Sequence, residues 1–233
     1  HDRMLWSKAL FEKYQRTGPI NLEQESDVRE WFNKRTRGQL KNREANHNAK
    51  QVSGDLPKWW NAKNVNIVAF VSTVYEWVGC REDEDETYYP SQADGLRRIV
   101  TDLPEEVVIT VRLHPNMAGI DAQEREELLK LGNNRNVQVV DATAGIDSYS
   151  LMRDAGMIMS FGSMTGIEAA FLGKPVVSIG GSPYVAFNAT LTPVDHTSLM
   201  LAVQKGVIGD FSEFPKQKTR TEMAIAFAWH WMN

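Results

Sequence analysis

One cysteine, Cys80, stands among 233 residues, so no disulfide can form within the chain. A reducing, cytoplasmic setting is therefore expected. No apolar stretch approaches the roughly 20 residues of a membrane-spanning helix, and no stretch has the form of a secretory signal peptide. An excess of one charge is also missing. The 26 Lys and Arg against 30 Asp and Glu leave a net charge of -4, which gives no footing for nucleic acid or an anionic membrane surface. There is no solenoid-type repeat, no Cys/His pair, no cluster of metal-ligand type and no G-x-S-x-G elbow. No metal and no resident cofactor are expected. The chain starts at His1 rather than Met, which points to a trimmed piece of a longer protein.

What is present is ordinary soluble protein: 42% hydrophobic and 24% charged residues, enough to bury a core in one large or two small domains. Residues 1–60 differ from the rest. Met4, Leu5, Ala9, Leu10 and Phe11, then Val28, Trp31 and Phe32, recur at helical spacing among charges. Gly18-Pro19 and Gly38 punctuate two or three helices, and the polar stretch from Lys41 to Gly54 reads as a loop or an exposed helix end. Trp59-Trp60 reads as a plug packing this region onto the next, in preference to a ligand platform. Residues 1–60 are expected to be a linker or the remnant of a missing N-terminal domain, and residues 61–233 the main domain.

From Val65 the pattern changes. Val65–Val71 is a continuous apolar run of strand length, as in a strand covered on both faces. The acidic run Glu82–Glu86 reads as a solvated loop. Ser91-Gln-Ala-Asp94 has capping form and opens a helix through Leu96, Ile99 and Val100. Val107–Leu113 is a second strand and Asp121–Leu131 a helix that Gly132 ends. Val137–Val140 is a third strand and Asp147–Arg153 a short helix. A fourth strand ends at Phe161-Gly162-Ser163, a helix runs on through Ile167 and Phe171, and Pro175–Ile179 is the fifth strand. Helices over Thr197–Val203 and Thr221–Trp231 close the chain. Alternating strands and helices make an α/β fold, a Rossmann-like open parallel sheet with helices on both faces; five strands are too few for an eight-fold barrel.

In such sheets a ligand sits beyond the carboxyl ends of the strands. That rule selects Ser72-Thr73, Arg112 and His114, the turn from Asp141 to Ser148, and the turn from Phe161 to Gly166. Gly162-Ser163-Met164-Thr165-Gly166 offers small residues, two hydroxyls and a helix start to an anion. It is neither G-x-G-x-x-G nor a Walker loop, so an NAD or ATP site is not supported. Glu168 has two readings: the carboxylate of a Thr165-x-x-Glu168 capping box, or an acceptor for a ribose diol. Arg112 and His114, two residues apart, would share one face at a strand end, which suits a diphosphate or a developing leaving-group charge. The plainer reading of His114 is a histidine hydrogen-bonded in a loop, and that of Asp147-Ser148 an N-cap and first turn. Gly180-Gly181-Ser182-Pro183-Tyr184 would be a second flexible lip. Asn188-Ala-Thr190 matches a glycosylation acceptor by chance only.

Three segments carry a resemblance: Arg112-Leu-His-Pro-Asn116, Ile146-Asp-Ser-Tyr-Ser-Leu-Met152 and Ser160-Phe-Gly-Ser-Met-Thr-Gly-Ile-Glu-Ala-Ala-Phe-Leu-Gly-Lys-Pro175. Together they resemble the C-terminal, donor-binding half of GT-B-type glycosyltransferases, in particular bacterial capsule or surface polysaccharide biosynthesis proteins. The resemblance implies a glycosyltransferase whose substrate is a nucleotide sugar. It implies Glu168 on the ribose, and Gly162, Ser163, Thr165 and Gly166 around the phosphates; Ser72, Thr73 and Ser148, selected by the strand-end rule, would line the same edge. His114 and Arg112 would act at the phosphates or the departing nucleotide. The saccharide acceptor would be met through a missing N-terminal domain, so the isolated chain is expected to bind nucleotide weakly and to transfer little. Any association with the inner membrane would run through a partner complex. A sugar-nucleotide 2-epimerase-like enzyme and a non-catalytic nucleotide-sugar-binding module remain the alternatives.

Overall fold

The computed structural model describes residues 3–37, 39, 51–61, 66–78, 89–120 and 122–233; Cys80, the acidic run 82–86, most of the polar stretch 41–54 and Asp121 lie outside them. Two helices come first, α1 (Arg3–Thr17) and α2 (Leu22–Thr36). Next are β1 (Asn66–Phe70), α3 (Val74–Val78), α4 (Gln92–Asp102), β2 (Val108–Arg112), α5 (Met117–Ile120), α6 (Ala122–Lys130), β3 (Val137–Val140) and α7 (Ser148–Asp154). The chain closes with β4 (Met157–Phe161), α8 (Thr165–Phe171), β5 (Val176–Ile179), α9 (His196–Val207) and α10 (Gln217–Met232).

The five strands form one parallel sheet in the order β3-β2-β1-β4-β5. The continuous apolar runs are explained by what covers them. Ile67 and Ala69 of β1 face a core shared with Leu96 and Ile99 of α4 and Leu199 of α9. Val68 and Phe70 face the opposite core, with Leu151 of α7, Ile167 of α8 and Phe227 of α10. Period-2 alternation thus sorts the strand residues between two buried faces instead of between core and water. The result is the Rossmann-like α/β architecture expected from the alternation of elements.

The chain runs outward from β1 to β2 and β3, then returns to the other side of β1 as β4. The carboxyl ends of β1 and β4 therefore diverge, and the crevice between them is the topological switch point of the sheet.

The N-terminal helices pack on the same body. Phe32 of α2 stacks on Phe171 of α8 with centroids 4.0 Å apart, and the Ala186 N–H donates to the Ser7 hydroxyl of α1 at 3.1 Å. Asn21 and Gln24 form a reciprocal capping box that starts α2. Of the two tryptophans read as a plug, Trp60 serves: its indole N–H donates to Asp154 and its ring packs on the α7–α8 core. Trp59 is exposed.

Candidate functional site

Ser72 and Thr73, just past the end of β1, are both buried. The Gln92 side chain accepts from the Ser72 N–H at 2.9 Å and donates to its carbonyl at 2.9 Å, which pins the strand end to the start of α4. Thr73 caps α3, an element that the apolar pattern of the sequence does not announce. Its N–H and hydroxyl both donate to Glu76 Oε2, at 3.1 and 3.0 Å, and its hydroxyl accepts from the Glu76 N–H at 3.3 Å. Thr73-x-x-Glu76 is a capping box, and its spacing is the one signal in the sequence that could have found this helix.

His114 and Arg112 leave β2 for different neighbours. The His114 Nδ1 accepts from the Asn116 N–H at 3.2 Å, so in the neutral ring the proton sits on Nε2. Nε2 lies 3.9 Å from Glu76 Oε2, on the β1 side. The Arg112 side chain is turned the other way, into the turn after β3. Its Nε donates to the Ser148 hydroxyl at 3.2 Å, and its two terminal nitrogens to the carbonyls of Asp141 at 2.5 Å and Ala144 at 3.4 Å. Burial pushes the Arg112 guanidinium down to about 10, with Asp141 opposing, so it stays charged at neutral pH. The Asp141 carboxylate is itself held by Arg125 at 2.5 and 3.0 Å. No described carboxylate touches Arg112, and its charge is carried by neutral oxygens beneath the carboxyl edge. Across the sheet, Arg112 and Ser160 both pair with Phe70, placing them two strand spacings apart, about 10 Å.

The turn after β4 is fixed from within. Gly162 has φ 62°, a left-handed conformation that favours glycine. The Ser163 hydroxyl accepts from the Thr165 N–H at 3.3 Å and the Thr165 hydroxyl at 3.0 Å. The Ser163 carbonyl accepts from the hydroxyls of Ser160 at 3.0 Å and Tyr184 at 2.8 Å, and from the Gly166 N–H at 3.2 Å. Gly166, expected in the phosphate cradle, lacks a side chain for the sake of helix–strand packing: an added Cβ would lie 2.1 Å from the Tyr184 hydroxyl oxygen and 2.8 Å from Ser160 Oγ.

Glu168 does not form the Thr165-x-x-Glu168 capping box. Met164 is the N-cap and makes no side-chain cap bond. The carboxylate is buried and bound by two groups that no motif in the sequence singles out: Arg35 Nε of α2 at 2.5 Å to Oε1, and the Tyr149 hydroxyl of α7 at 2.7 Å to Oε2. No spacing signal joins Arg35 to Glu168; their meeting depends on how α2 docks.

Asp147 is the N-cap of α7, as its position suggests, and it ties down residues 51–55 as well. Its carboxylate accepts from the Tyr149 N–H at 2.9 Å, the Ser150 hydroxyl at 2.6 Å and the Gly54 N–H at 3.0 Å. Gln51 accepts from the Ser148 N–H at 2.8 Å, and the Ser148 hydroxyl is used by Arg112. Burial pushes the Asp147 carboxyl up, but Ser150, the two N–H groups and Arg153 together hold it below the usual range. A depressed carboxyl stabilises the fold above its unfolded value, about 3.9, and that contribution is lost as pH falls through the lower folded value. Asp147→Ala is expected to lose about 1–2 kcal/mol at pH 7, with the deficit shrinking below about pH 4. Urea denaturation at both pH values checks this; a deficit of equal size at pH 3 contradicts it.

Elsewhere, a groove of about 810 Å³ lies between α1, α2 and the first turns of α10, lined by Tyr14, Ile20, Arg29, Lys218 and Met223 among others. It includes none of the residues selected at the carboxyl edge. Among the described residues no group of three or more His, Cys, Asp or Glu has the geometry to hold a metal, and no helix is long and apolar enough to cross a membrane.

The fold and its edge define a Rossmann-like α/β domain whose crevice opens at the β1/β4 switch point. A family model described as "Capsule polysaccharide biosynthesis protein" matches residues 3–191, and the chain belongs to that family. Comparison with curated proteins gave no match. Among solved structures, the chain is similar to the beta Kdo 2,4 transferase of Thermosulfurimonas dismutans KpsC, with 15% identity and a TM-score of 0.50 over 90% of this chain and 56% of that one. The beta Kdo 2,7 transferase of the same KpsC matches with 15% identity and a TM-score of 0.47, over 85% and 56%. The UDP-GlcNAc 2-epimerase of Neisseria meningitidis, solved with UDP-GlcNAc, matches with 15% identity and a TM-score of 0.43, over 70% and 42%. The chain thus spans 56% of the length of the two transferase structures.

Proposed function

We propose that the chain is the donor-binding part of a GT-B-type glycosyltransferase acting in capsule or surface polysaccharide synthesis, with a nucleotide-activated sugar bound at the β1/β4 switch point. The observation that carries this reading is the carboxyl edge itself: hydroxyls and a helix start after β4, His114 Nε2 after β2, and the buried Arg112 charge that no described carboxylate touches. Thr165 and Gly166 turn their N–H groups inward to Ser163; those of Ser163 and Met164 are left for a phosphate. His114 would donate from Nε2, and Arg112 would act through its field rather than by contact. A preorganised positive edge stabilises the charge that develops on a departing nucleotide. Glu168 would accept from the ribose diol. The acceptor sugar would be presented by a further domain, and transfer by this chain alone is expected to be slight.

Thermal melting with UDP, CDP, GDP and CMP tests the reading. A nucleotide at ten times its Kd stabilises by about 1.4 kcal/mol, a rise of roughly 3–6 °C for a chain of this size. No shift with any of the four at millimolar concentration contradicts it.

A further inference from the structure

We infer that Arg35 is a positioning residue of the donor site: together with Tyr149 it sets the Glu168 carboxylate to receive a ribose diol. This rests on the donor-site reading above. Three observations carry it. First, Arg35 and Tyr149 hold opposite oxygens of one carboxylate, at 2.5 and 2.7 Å, which fixes both the place and the rotation of the group. A carboxylate offers about four acceptor positions; two are taken, and the remaining lone pairs would serve the hydroxyls of a vicinal diol that reaches the narrow exposed edge of this otherwise buried side chain.

Second, Arg35 is not alone in docking α2. The Phe32–Phe171 stack, with planes 13° apart, and Arg29 over the Phe171 ring at 5.6 Å already join α2 to α8, and Val28 and Phe32 are buried against α10. Third, Arg35 is itself steadied, its guanidinium lying 5.1 Å over the Trp31 ring. Trp31 and Glu168 together fix where the guanidinium lies. The N-terminal helices would then complete the donor site instead of linking to it, and the ribose selectivity of the pocket would be written in α2.

The test measures affinity for the nucleotide that gives the largest melting shift among UDP, CDP, GDP and CMP, and for its 2′,3′-dideoxy counterpart, in the parent, Arg35→Met, Tyr149→Phe and Arg29→Met. The parent is expected to prefer the ribonucleotide. Arg35→Met should lose roughly five- to tenfold in ribonucleotide affinity with little change for the dideoxy form, so the preference collapses towards one. Tyr149→Phe should lose part of the preference, and Arg29→Met none. Arg35→Met combined with Glu168→Gln should lose no more than Glu168→Gln alone.

If Arg35→Met does not fold, Arg35→Lys decides: it keeps the charge but not the fork, and an intermediate preference is expected. An unchanged preference in the folded variant overturns the inference while leaving the donor-site reading intact. A parent that binds none of the four nucleotides overturns both, and a parent that binds both sugar forms equally overturns the role of Glu168 along with that of Arg35.

Discussion

Replacing Gly166 by alanine is expected to destabilise the chain by about 3 kcal/mol, the upper range for overpacking a core, and to lower the melting temperature by roughly 6–12 °C. The added methyl would meet the Tyr184 hydroxyl oxygen at 2.1 Å, Ser160 Oγ at 2.8 Å and Ser160 Cβ at 2.9 Å. None of these can yield cheaply. Tyr184 is fully buried, wedged edge-on against Phe227 at 5.8 Å, and its hydroxyl holds the Ser163 carbonyl. Ser160 is at the end of β4, in the middle of the sheet. Tyr184→Phe removes the nearest of the three atoms, so Gly166→Ala should cost at least about 1 kcal/mol less in that background than in the parent. Equal costs in both backgrounds would show that the helix shifts to make room. The site consequence is separate: Gly166→Ala should reduce binding only as far as it reduces the folded population.

The second large effect is expected at Arg112. Arg112→Met keeps most of the length of the side chain and removes the charge and all three hydrogen bonds. The carbonyls of Asp141 and Ala144 and the Ser148 hydroxyl then face a thioether. Against this stands the relief of no longer burying a cation, which is why replacing buried ions by apolar groups is sometimes neutral. Here the carbonyls that lose the donor belong to a turn on which Arg125 and the N-terminus of α7 also depend. The unmet acceptors dominate, and a loss of about 2–4 kcal/mol is expected. The guanidinium titrates at about 10 in the folded chain, below its ordinary value. The unfolded state therefore holds its proton to higher pH, and the contribution of this group varies with pH only between the folded and unfolded values. Below them both states are protonated, so the Arg112→Met deficit should be constant from pH 6 to 9. That separates it from Asp147→Ala, whose deficit fades in acid. A variant as stable as the parent contradicts the structural part of the role.

These two residues show what the sequence could and could not convey. The strands were legible because both faces of the sheet are buried, which leaves an unbroken apolar run at Ile67–Val71 and one interrupted only by Ser160 at Met157–Phe161. The rule about strand ends named an edge of the sheet; the strand order, and with it the switch point between β1 and β4, is visible only in the fold. Contacts made across the sheet were not legible. Arg112 and His114 looked like a pair because alternation places them on one face. Past the last ladder position the strand rule no longer governs, and the turn after β3 offered Arg112 three acceptors while α3 offered His114 a carboxylate. Gly166 looked like part of a turn because it closes the small-residue stretch that begins at Gly162-Ser163, and only the position of Tyr184, 18 residues on, shows that the space is taken. Helix α3 was not expected although Thr73-x-x-Glu76 carries the capping spacing, because five residues leave too little periodicity to read. Arg35 lay beyond any local signal. Its partner is more than a hundred residues away, and the stack of Phe32 on Phe171 that brings them together depends on tertiary packing.

The location of the bound nucleotide tests the account most directly. Backbone amide exchange should be followed by mass spectrometry, with and without the best-binding nucleotide at saturating, millimolar concentration. Added protection is expected in peptides covering residues 72–76, 114–117 and 162–168, with little change in those covering α9. Protection confined to α1, α2 and the first turns of α10, around the groove of Tyr14, Arg29 and Met223, or no protection anywhere, would contradict a donor site at the β1/β4 edge.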